Sequence, residues 1–300
     1  MTTPQTLTRP ASLSEYTERL QQTRAPIVTE SIQHGLAYQP QPSALFITPA
    51  DKFSATWLQQ IVHSLRTQGD MDFDDISQVI PWLEMAHRLG MNIHAPQRGG
   101  FQAFKSHLSW QNIPKGGRYI VAFRDPKDVL VSMYHFLNGW HWQAGVVSMT
   151  EFASHSLRLD GWSYWDHLVS WWEQRHNRQV LPLTFEGMKA DLPATVQTIA
   201  HFLGIELDQD LLNLVCERAS LEFMLAHKSK FSERLQQAAA AKDNLWPPSE
   251  TTSNIGNGLM VGHGAELPSE IGAEIDTIWR KTVEPRTGLS SYQALRSALA

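Results

Sequence analysis

The chain has 300 residues, and its 25 Lys and Arg against 30 Asp and Glu give a formal net charge of −5. This balance argues against a general binder of nucleic acid or anionic membranes, because such proteins carry a basic surplus that neutralises phosphates. Hydrophobic residues make up 42% and charged residues 18% of the chain, which is typical of a folded globular protein and excludes a largely disordered one.

The sequence carries one cysteine, Cys216, so an internal disulfide and a cysteine-based zinc site are excluded. Residues 1–10 lack the basic and apolar regions of a signal peptide, and we expect them to form a flexible tail. The most apolar stretches fall well short of the roughly 20 residues that a membrane span needs. These features predict a soluble, cytoplasmic protein.

The first third of the chain predicts a helix followed by a strand, a loop and a second helix. Ser12 and Glu15 have the spacing of a capping box, and the helix that they begin is expected to end before Pro26. The short apolar run at 44–48 has the length of a buried strand. Apolar residues at helical spacing follow from Trp57.

The same strand–loop–helix order recurs further along the chain. Residues 118–124 predict a second buried strand, followed by Asp125 as the N-cap and Pro126 as the first helical residue. A further strand is predicted at 180–185 and a helix at 192–203. Strands that alternate with helices indicate an α/β fold with a mostly parallel sheet.

The C-terminal third differs in composition. Residues 246–264 are rich in Pro, Ser, Asn and Gly and predict a long loop, which in a folded domain is usually functional or disordered. A helix at 268–280 and a short terminal helix near Tyr292 complete the chain. Without repeats or a clear linker, residues 1–300 are expected to form a single domain.

The loop between the first strand and its helix is a candidate anion site. A helix N-terminus presents free amide groups to an anion, Lys52 adds a positive charge, and Ser54 and Thr56 add hydroxyl donors. The glycine-rich phosphate-loop pattern is absent, however. A plain turn with a solvated lysine therefore stays an equal alternative.

Two further sites are expected at the carboxyl ends of strands, where open α/β sheets bind ligands. Arg124 ends one strand and has the planar fork that suits a phosphate, and Ser132 lies one turn beyond the stretch 124–129. The alternative is that Arg124 pairs with a neighbouring aspartate of the capped helix. Lys105 and His107 end a probable strand at 102–106, and an imidazole there is a candidate base.

Together these residues resemble the cytosolic-type (family 1) sulfotransferases, in a bacterial-like form. The stretches that carry the resemblance are 52–58, 105–108, 118–129 with Ser132, and 185–189, and they follow the family's order. The likeness is specific from about residue 44 to residue 204 and weaker beyond.

The resemblance implies a P-loop nucleotide-kinase-like fold and transfer of a sulfuryl group from 3′-phosphoadenylyl sulfate (PAPS) to a hydroxyl or amine. His107 would be the general base and Lys52 would stabilise the leaving phosphate, and the implied catalytic set also includes Lys105 and Ser132. Lys105 could hold anionic charge near His107, and Arg124 and Ser132 would hold the 3′-phosphate. No metal is required. The implied donor-binding residues are Lys52, Ser54, Ala55, Thr56, Trp57, Arg124, Ser132, Phe185, Ser220, Asn257 and Gly258.

The donor-binding motifs depart from the family's pattern at several positions. Ser54 stands where the family has a glycine that permits close approach to the phosphosulfate. Phe185 replaces a tyrosine, and residues 256–258 replace an Arg-Lys-Gly element that holds the 3′-phosphate. Two hypotheses follow: a sulfotransferase with a remodelled donor site, or a sulfotransferase-like protein with a decayed site that binds small molecules or catalyses another reaction.

The acceptor is expected to be a small, partly apolar molecule, and a homodimer is one option for the oligomeric state. Phe101, Phe104, Trp140 and Trp142 are candidates for an apolar cleft, as small-molecule sites often have. For the two tryptophans, burial in the core is an equal alternative.

Overall fold

The computed structural model describes residues 7–50, 55–158, 164–248 and 263–299. In this part of the chain, no helix combines the length and the apolar character that crossing a membrane requires. The strands are β1 (Leu45–Ile47), β2 (Ala103–Lys105), β3 (Arg118–Phe123) and β4 (Val180–Thr184). The α-helices are α1 (Leu13–Leu36), α2 (Ala55–Thr67), α3 (Pro126–Leu137), α4 (Met149–Arg158), α5 (Tyr164–Trp172), α6 (Phe185–Ala190), α7 (Leu192–Leu203), α8 (Gln209–Arg218), α9 (Leu221–Ala226), α10 (Arg234–Lys242), α11 (Ser269–Thr282), α12 (Glu284–Thr287) and α13 (Tyr292–Leu299).

The four strands form one parallel sheet in the order β2-β1-β3-β4. Leu45 of β1 pairs with Ala103 of β2 and with Arg118 of β3. Because all strands run the same way, their carboxyl ends meet at one edge of the sheet. The predicted α/β fold with a parallel sheet flanked by helices is confirmed.

Both faces of the sheet are covered, as a parallel sheet requires. Side chains alternate along each strand, so Ile120 and Ala122 of β3 pack with residues of α2, α7 and α8, whereas Tyr119 and Val121 pack with α5 and α13. The predicted helix start at Asp125 is also confirmed, since its side chain accepts a hydrogen bond from the Lys127 amide.

The N-terminal region differs from the expectation in two ways. The helix that begins at Ser12 does not end before Pro26 but continues to Leu36, where the far end is held by the fully buried Ser31. Of the predicted tail, residues 1–6 lie outside the described residues. Arg9 is held by the fold, because its guanidinium donates to the carbonyl groups of Trp140 and Pro248 at 3.1 and 2.7 Å. Tertiary contacts therefore override local helix-breaking and tail-like composition.

The predicted long loop at 246–264 lies mostly outside the described residues. At its start, Trp246 is buried against Trp140. At its end, a short 3₁₀ helix spans His263–Glu266, and the Gly264 amide donates to Asp128 of α3 at 2.7 Å.

Gly117, just before β3, offers a test of the packing around the central strand. A Cβ at this position would lie 2.7 Å from the Ala44 carbonyl oxygen and 2.9 Å from the Phe46 ring. We expect Gly117→Ala to lower the free energy of unfolding by about 1–3 kcal/mol, the usual cost of overpacking. Gly272→Ala, within α11 and in ordinary contact with Lys127, should instead be neutral or raise it by up to about 1 kcal/mol. Urea unfolding of both variants makes the comparison, and equal effects would contradict it.

Candidate functional site

The carboxyl ends of β1 and β2 bring the first two predicted sites together. The Ser106 amide donates to the Ile47 carbonyl at 2.9 Å, which extends the pairing of the two strands. One residue further, the Nδ1 atom of His107 lies 2.8 Å from the Pro49 carbonyl oxygen. A carbonyl oxygen only accepts hydrogen bonds, so Nδ1 carries the proton and Nε2 is the basic atom of the neutral ring.

The side chain of Glu84 accepts a hydrogen bond from the backbone of His107. Its Oε1 atom accepts a hydrogen bond of 2.7 Å from the His107 amide. The side chain is buried, and burial raises the pKa of its carboxyl to about 7, partly opposed by the hydrogen bond from His107. His107 is thus fixed at two points, its ring by Pro49 and its backbone by Glu84.

Lys105 is paired rather than open to the edge of the sheet. Its Nζ atom lies 3.2 Å from Glu233 Oε1, and both side chains are less than a tenth exposed. The same ammonium group lies 4.5 Å from the ring centroid of Trp82, a favourable cation–π position. The Trp82 ring in turn meets the His107 ring edge to face at 5.1 Å.

The third and fourth strand ends form a second cluster. The buried Arg124 guanidinium stacks 4.3 Å from the centroid of the Phe185 ring. Burial lowers the pKa of Arg124, and the carboxylates of Asp128 and Glu186 oppose this shift. Ser132 is buried on α3, in the helix that follows Arg124.

The beginning of α2 joins this second cluster. Its first residues, Ala55, Thr56 and Trp57, are buried. The Trp57 indole donates to the Ala219 carbonyl at 2.8 Å, and its ring meets Phe185 edge to face at 5.8 Å. Ser220, next in the chain, caps α9 through its hydroxyl. Of the residues with implied donor roles, Lys52, Ser54, Asn257 and Gly258 lie outside the described residues.

A cavity of about 200 Å³ lies next to the His107 cluster. Two of its lining residues, Trp82 and Glu233, contact His107 and Lys105 respectively. Apolar and aromatic side chains form most of its wall, and the lining residues are Tyr16, Leu20, Trp82, Met85, Arg88, Met133, Leu137, Trp140, His141, Glu233, Gln236, Ala240, Leu245 and Trp246.

Of the four residues expected to form an apolar cleft, the structure places Trp140 in this cavity. Phe104 and Trp142 are fully buried in the core instead, where Phe104 packs on Phe46 and Trp142 on Phe152. Phe101 precedes β2, at the opposite edge of the sheet from His107, and lies beside the Arg66 and Arg118 guanidinium groups. Phe101 lies at the amino end of β2, whereas the candidate site is at the carboxyl ends of the strands.

Several residues of the site were missed by sequence reasoning. Glu84 carries a weak signal, since a single carboxylate stands in the otherwise apolar run 80–86. Glu233 carries none, because it meets Lys105 across 128 positions of sequence. The same holds for Trp246 and Gln236, which reach the cavity through the folding of the C-terminal helices.

Comparison with known proteins gives the family. The profile of the sulfotransferase domain matches residues 42–284. Human sulfotransferase 1C2 is 26% identical over 207 residues, covering 63% of this chain and 68% of the relative. Mouse sulfotransferase 1B1 is 29% identical over 203 residues, covering 62% and 67%. The luciferin sulfotransferase of Photinus pyralis is 24% identical over 283 residues, covering 82% and 73%.

Solved structures agree at the level of the fold. A crystal structure of retinol dehydratase with androsterone and the inactive cofactor PAP superposes with a TM-score of 0.66 at 17% identity, covering 86% of this chain and 85% of that one. Mouse sulfotransferase SULT7A1 complexed with PAP gives 0.62 at 19% identity, covering 87% and 91%. With the profile matched over most of its length, the chain belongs to the sulfotransferase family of enzymes.

Proposed function

We propose that the protein transfers the sulfuryl group of PAPS to a hydroxyl or amine of a small acceptor, with His107 as general base and Lys52 stabilising the leaving phosphate. In this reaction the bond between sulfur and the phosphate oxygen breaks as a bond from the acceptor oxygen or nitrogen to sulfur forms. The acceptor proton passes to His107. Positioning and charge stabilisation supply most of the catalysis of such in-line transfers.

The observation that carries the proposal is the hydrogen bond from His107 Nδ1 to the Pro49 carbonyl. It leaves the lone pair on Nε2, and an imidazole with an ordinary pKa of about 6.5 is a suitable base near neutral pH. The bond also joins the base to the residue two positions before the segment 51–54, in which Lys52 lies. Proton acceptance and phosphate stabilisation would thus be placed on adjoining strand ends.

The donor side has groups that suit an anionic purine nucleotide. Arg124 offers a guanidinium for a phosphate, and the rings of Trp57 and Phe185 offer aromatic surface for a base. PAP, which retinol dehydratase and mouse SULT7A1 hold in their crystal structures, is such a nucleotide. The role of Lys52 rests on its sequence position and its match to the family.

The cavity beside Trp82 supplies the acceptor site in this proposal. The indole N–H groups of Trp140 and Trp246 and the amide oxygen of Gln236 are buried there and make no hydrogen bond within the described part of the chain. Buried polar groups without partners are costly. An acceptor with hydroxyl groups on an apolar ring would satisfy them, because a hydroxyl oxygen accepts from an indole N–H and its O–H donates to the Gln236 amide oxygen.

Nucleotide titration combined with loss of His107 tests the proposal. Calorimetry should detect binding of 3′-phosphoadenosine 5′-phosphate, and His107→Ala should leave this affinity nearly unchanged. The same variant should transfer sulfate about 10²–10⁴-fold more slowly, the usual contribution of a general base. His176→Ala, an exposed histidine elsewhere, is the control and should behave as the unaltered protein.

Two results would overturn the proposal. Failure of the nucleotide to bind at millimolar concentration would leave the protein as a family member with a different ligand or reaction. A normal transfer rate in His107→Ala would keep the sulfotransferase activity but reject His107 as the base.

The buried Glu84 behind His107 predicts a pH-dependent stability. Its carboxyl loses a proton at about pH 4.5 when unfolded and at about 7 when folded, so the folded state binds the proton more tightly. Stability should therefore fall as pH rises through this interval, by at most about 3 kcal/mol. Glu84→Gln keeps an oxygen for the His107 amide and should remove this fall.

The measurement is the free energy of unfolding at about pH 5 and about pH 8. We expect Glu84→Gln to be markedly more stable than the unaltered protein at the higher pH and closer to it at the lower. Glu274→Gln, on an exposed position of α11, controls for the general loss of one charge. A pH-independent difference would contradict the prediction.

The cavity also predicts acceptor size. Its volume of about 200 Å³ slightly exceeds that of an apolar cavity of about 150 Å³ that holds one benzene, which is enough for one ring with short substituents. Single-ring phenols and alcohols should therefore exceed four-ring steroid alcohols in kcat/KM by about tenfold or more.

The unpaired indole N–H of Trp246 predicts a further result in the same kinetic assay of acceptors. Trp246→Phe should raise KM about fivefold for a single-ring acceptor that carries a second oxygen atom, the effect of one lost hydrogen bond. An acceptor without that oxygen should change little. Trp172→Phe, a buried indole away from the cavity, is the control. Equal rates for steroid and single-ring acceptors would contradict the size argument.

A further inference from the structure

Three metal-ligating side chains come together outside the site described above. Glu30 and His34 are four residues apart on α1 and therefore share one face of the helix. His87, from the segment 81–90, lies opposite them, with its Nε2 atom 3.6 Å from Glu30 Oε1. Its ring stacks on the His34 ring at 3.8 Å and 8°. One ligand atom from each residue lies within 4.8 Å of the others.

The backbones that carry these side chains are in firm contact. The Arg88 amide, next to His87, donates to the Ser31 hydroxyl of α1 at 3.1 Å. Gly35 of α1 packs so closely on the segment that a Cβ there would lie 2.7 Å from the Leu83 carbonyl oxygen. The spacing of the three backbone positions is therefore fixed by the fold, and the three side chains are exposed.

We infer that Glu30, His34 and His87 form a binding site for a divalent transition metal, with Zn²⁺ as the preferred ion. Two imidazoles and a carboxylate are ligands that zinc takes at about 2.0–2.2 Å. Ligand atoms in such a tetrahedral site are about 3.4 Å apart, close to the separation that Glu30 and His87 already have. Three protein ligands leave one position for water, and the exposure of all three allows exchange with solvent.

A metal at this site would join two walls of the cavity. α1 contributes Tyr16 and Leu20 to the lining, and the segment 81–90 contributes Trp82, Met85 and Arg88. The ion would hold these elements together some distance from His107. Its expected role is thus structural, and the inference does not depend on the proposed sulfuryl transfer.

Calorimetric titration of the untagged full chain with zinc chloride tests the site. We expect saturable binding of one ion per chain, and a rise in the unfolding temperature on adding zinc. His87→Ala should weaken binding by about 100-fold or more and remove the thermal shift. His176→Ala, an exposed histidine far from the cluster in sequence, should retain both.

A second pair of variants keeps the test decisive if His87→Ala unfolds. Glu30→Gln and His34→Gln preserve size at exposed positions, and each should weaken zinc binding by at least about tenfold. Unchanged zinc affinity in these variants, or the absence of saturable binding at millimolar zinc, would overturn the inference.

Discussion

The central position of β1, paired in parallel with β2 and β3, is the constraint on which the proposed site depends. It brings Pro49 next to His107 at one side, and the helix that follows it, α2, places Trp57 against Phe185 at the other. A parallel sheet must be covered on both faces. Because side chains alternate along β3, α2 packs against one face of the sheet and α5 packs against the other. The edge then remains for ligands.

Among the described residues at this edge, positive and negative side chains largely balance each other. Lys105 faces Glu233 in a buried pair, and Arg124 lies near the carboxylates of Asp128 and Glu186. Burying such pairs costs solvation that their attraction only partly returns. With a net charge of −5, a multiply charged donor gains little general attraction, so the proposed binding relies on local rearrangement around Arg124 and on Lys52. An incoming phosphate would compete with carboxylates that are already in place.

Neighbouring residues in the sequence predicted most helices and strands. The composition of the candidate site depends instead on contacts between residues that are distant in sequence. The Asp125–Pro126 helix start and the apolar strands follow from neighbouring residues. Whether Phe104 and Trp140 meet core or cavity depends on what packs opposite, which sequence spacing does not contain. The continuation of α1 past Pro26 has the same origin, because contacts at Ser31 and Gly35 outweigh the local cost of proline.

Among the described residues that line the cavity, none belongs to β1–β4. They come from helices α1, α3 and α10 and from connecting segments such as 81–90 and 245–246. Under the proposed function, substitutions on these helices would change the preferred acceptor of a gene duplicate, while the strand ends that hold His107 and Arg124 stay as they are. For laboratory evolution of acceptor preference, the same separation makes α1 and α10 the helices to mutate while the sheet is kept unchanged.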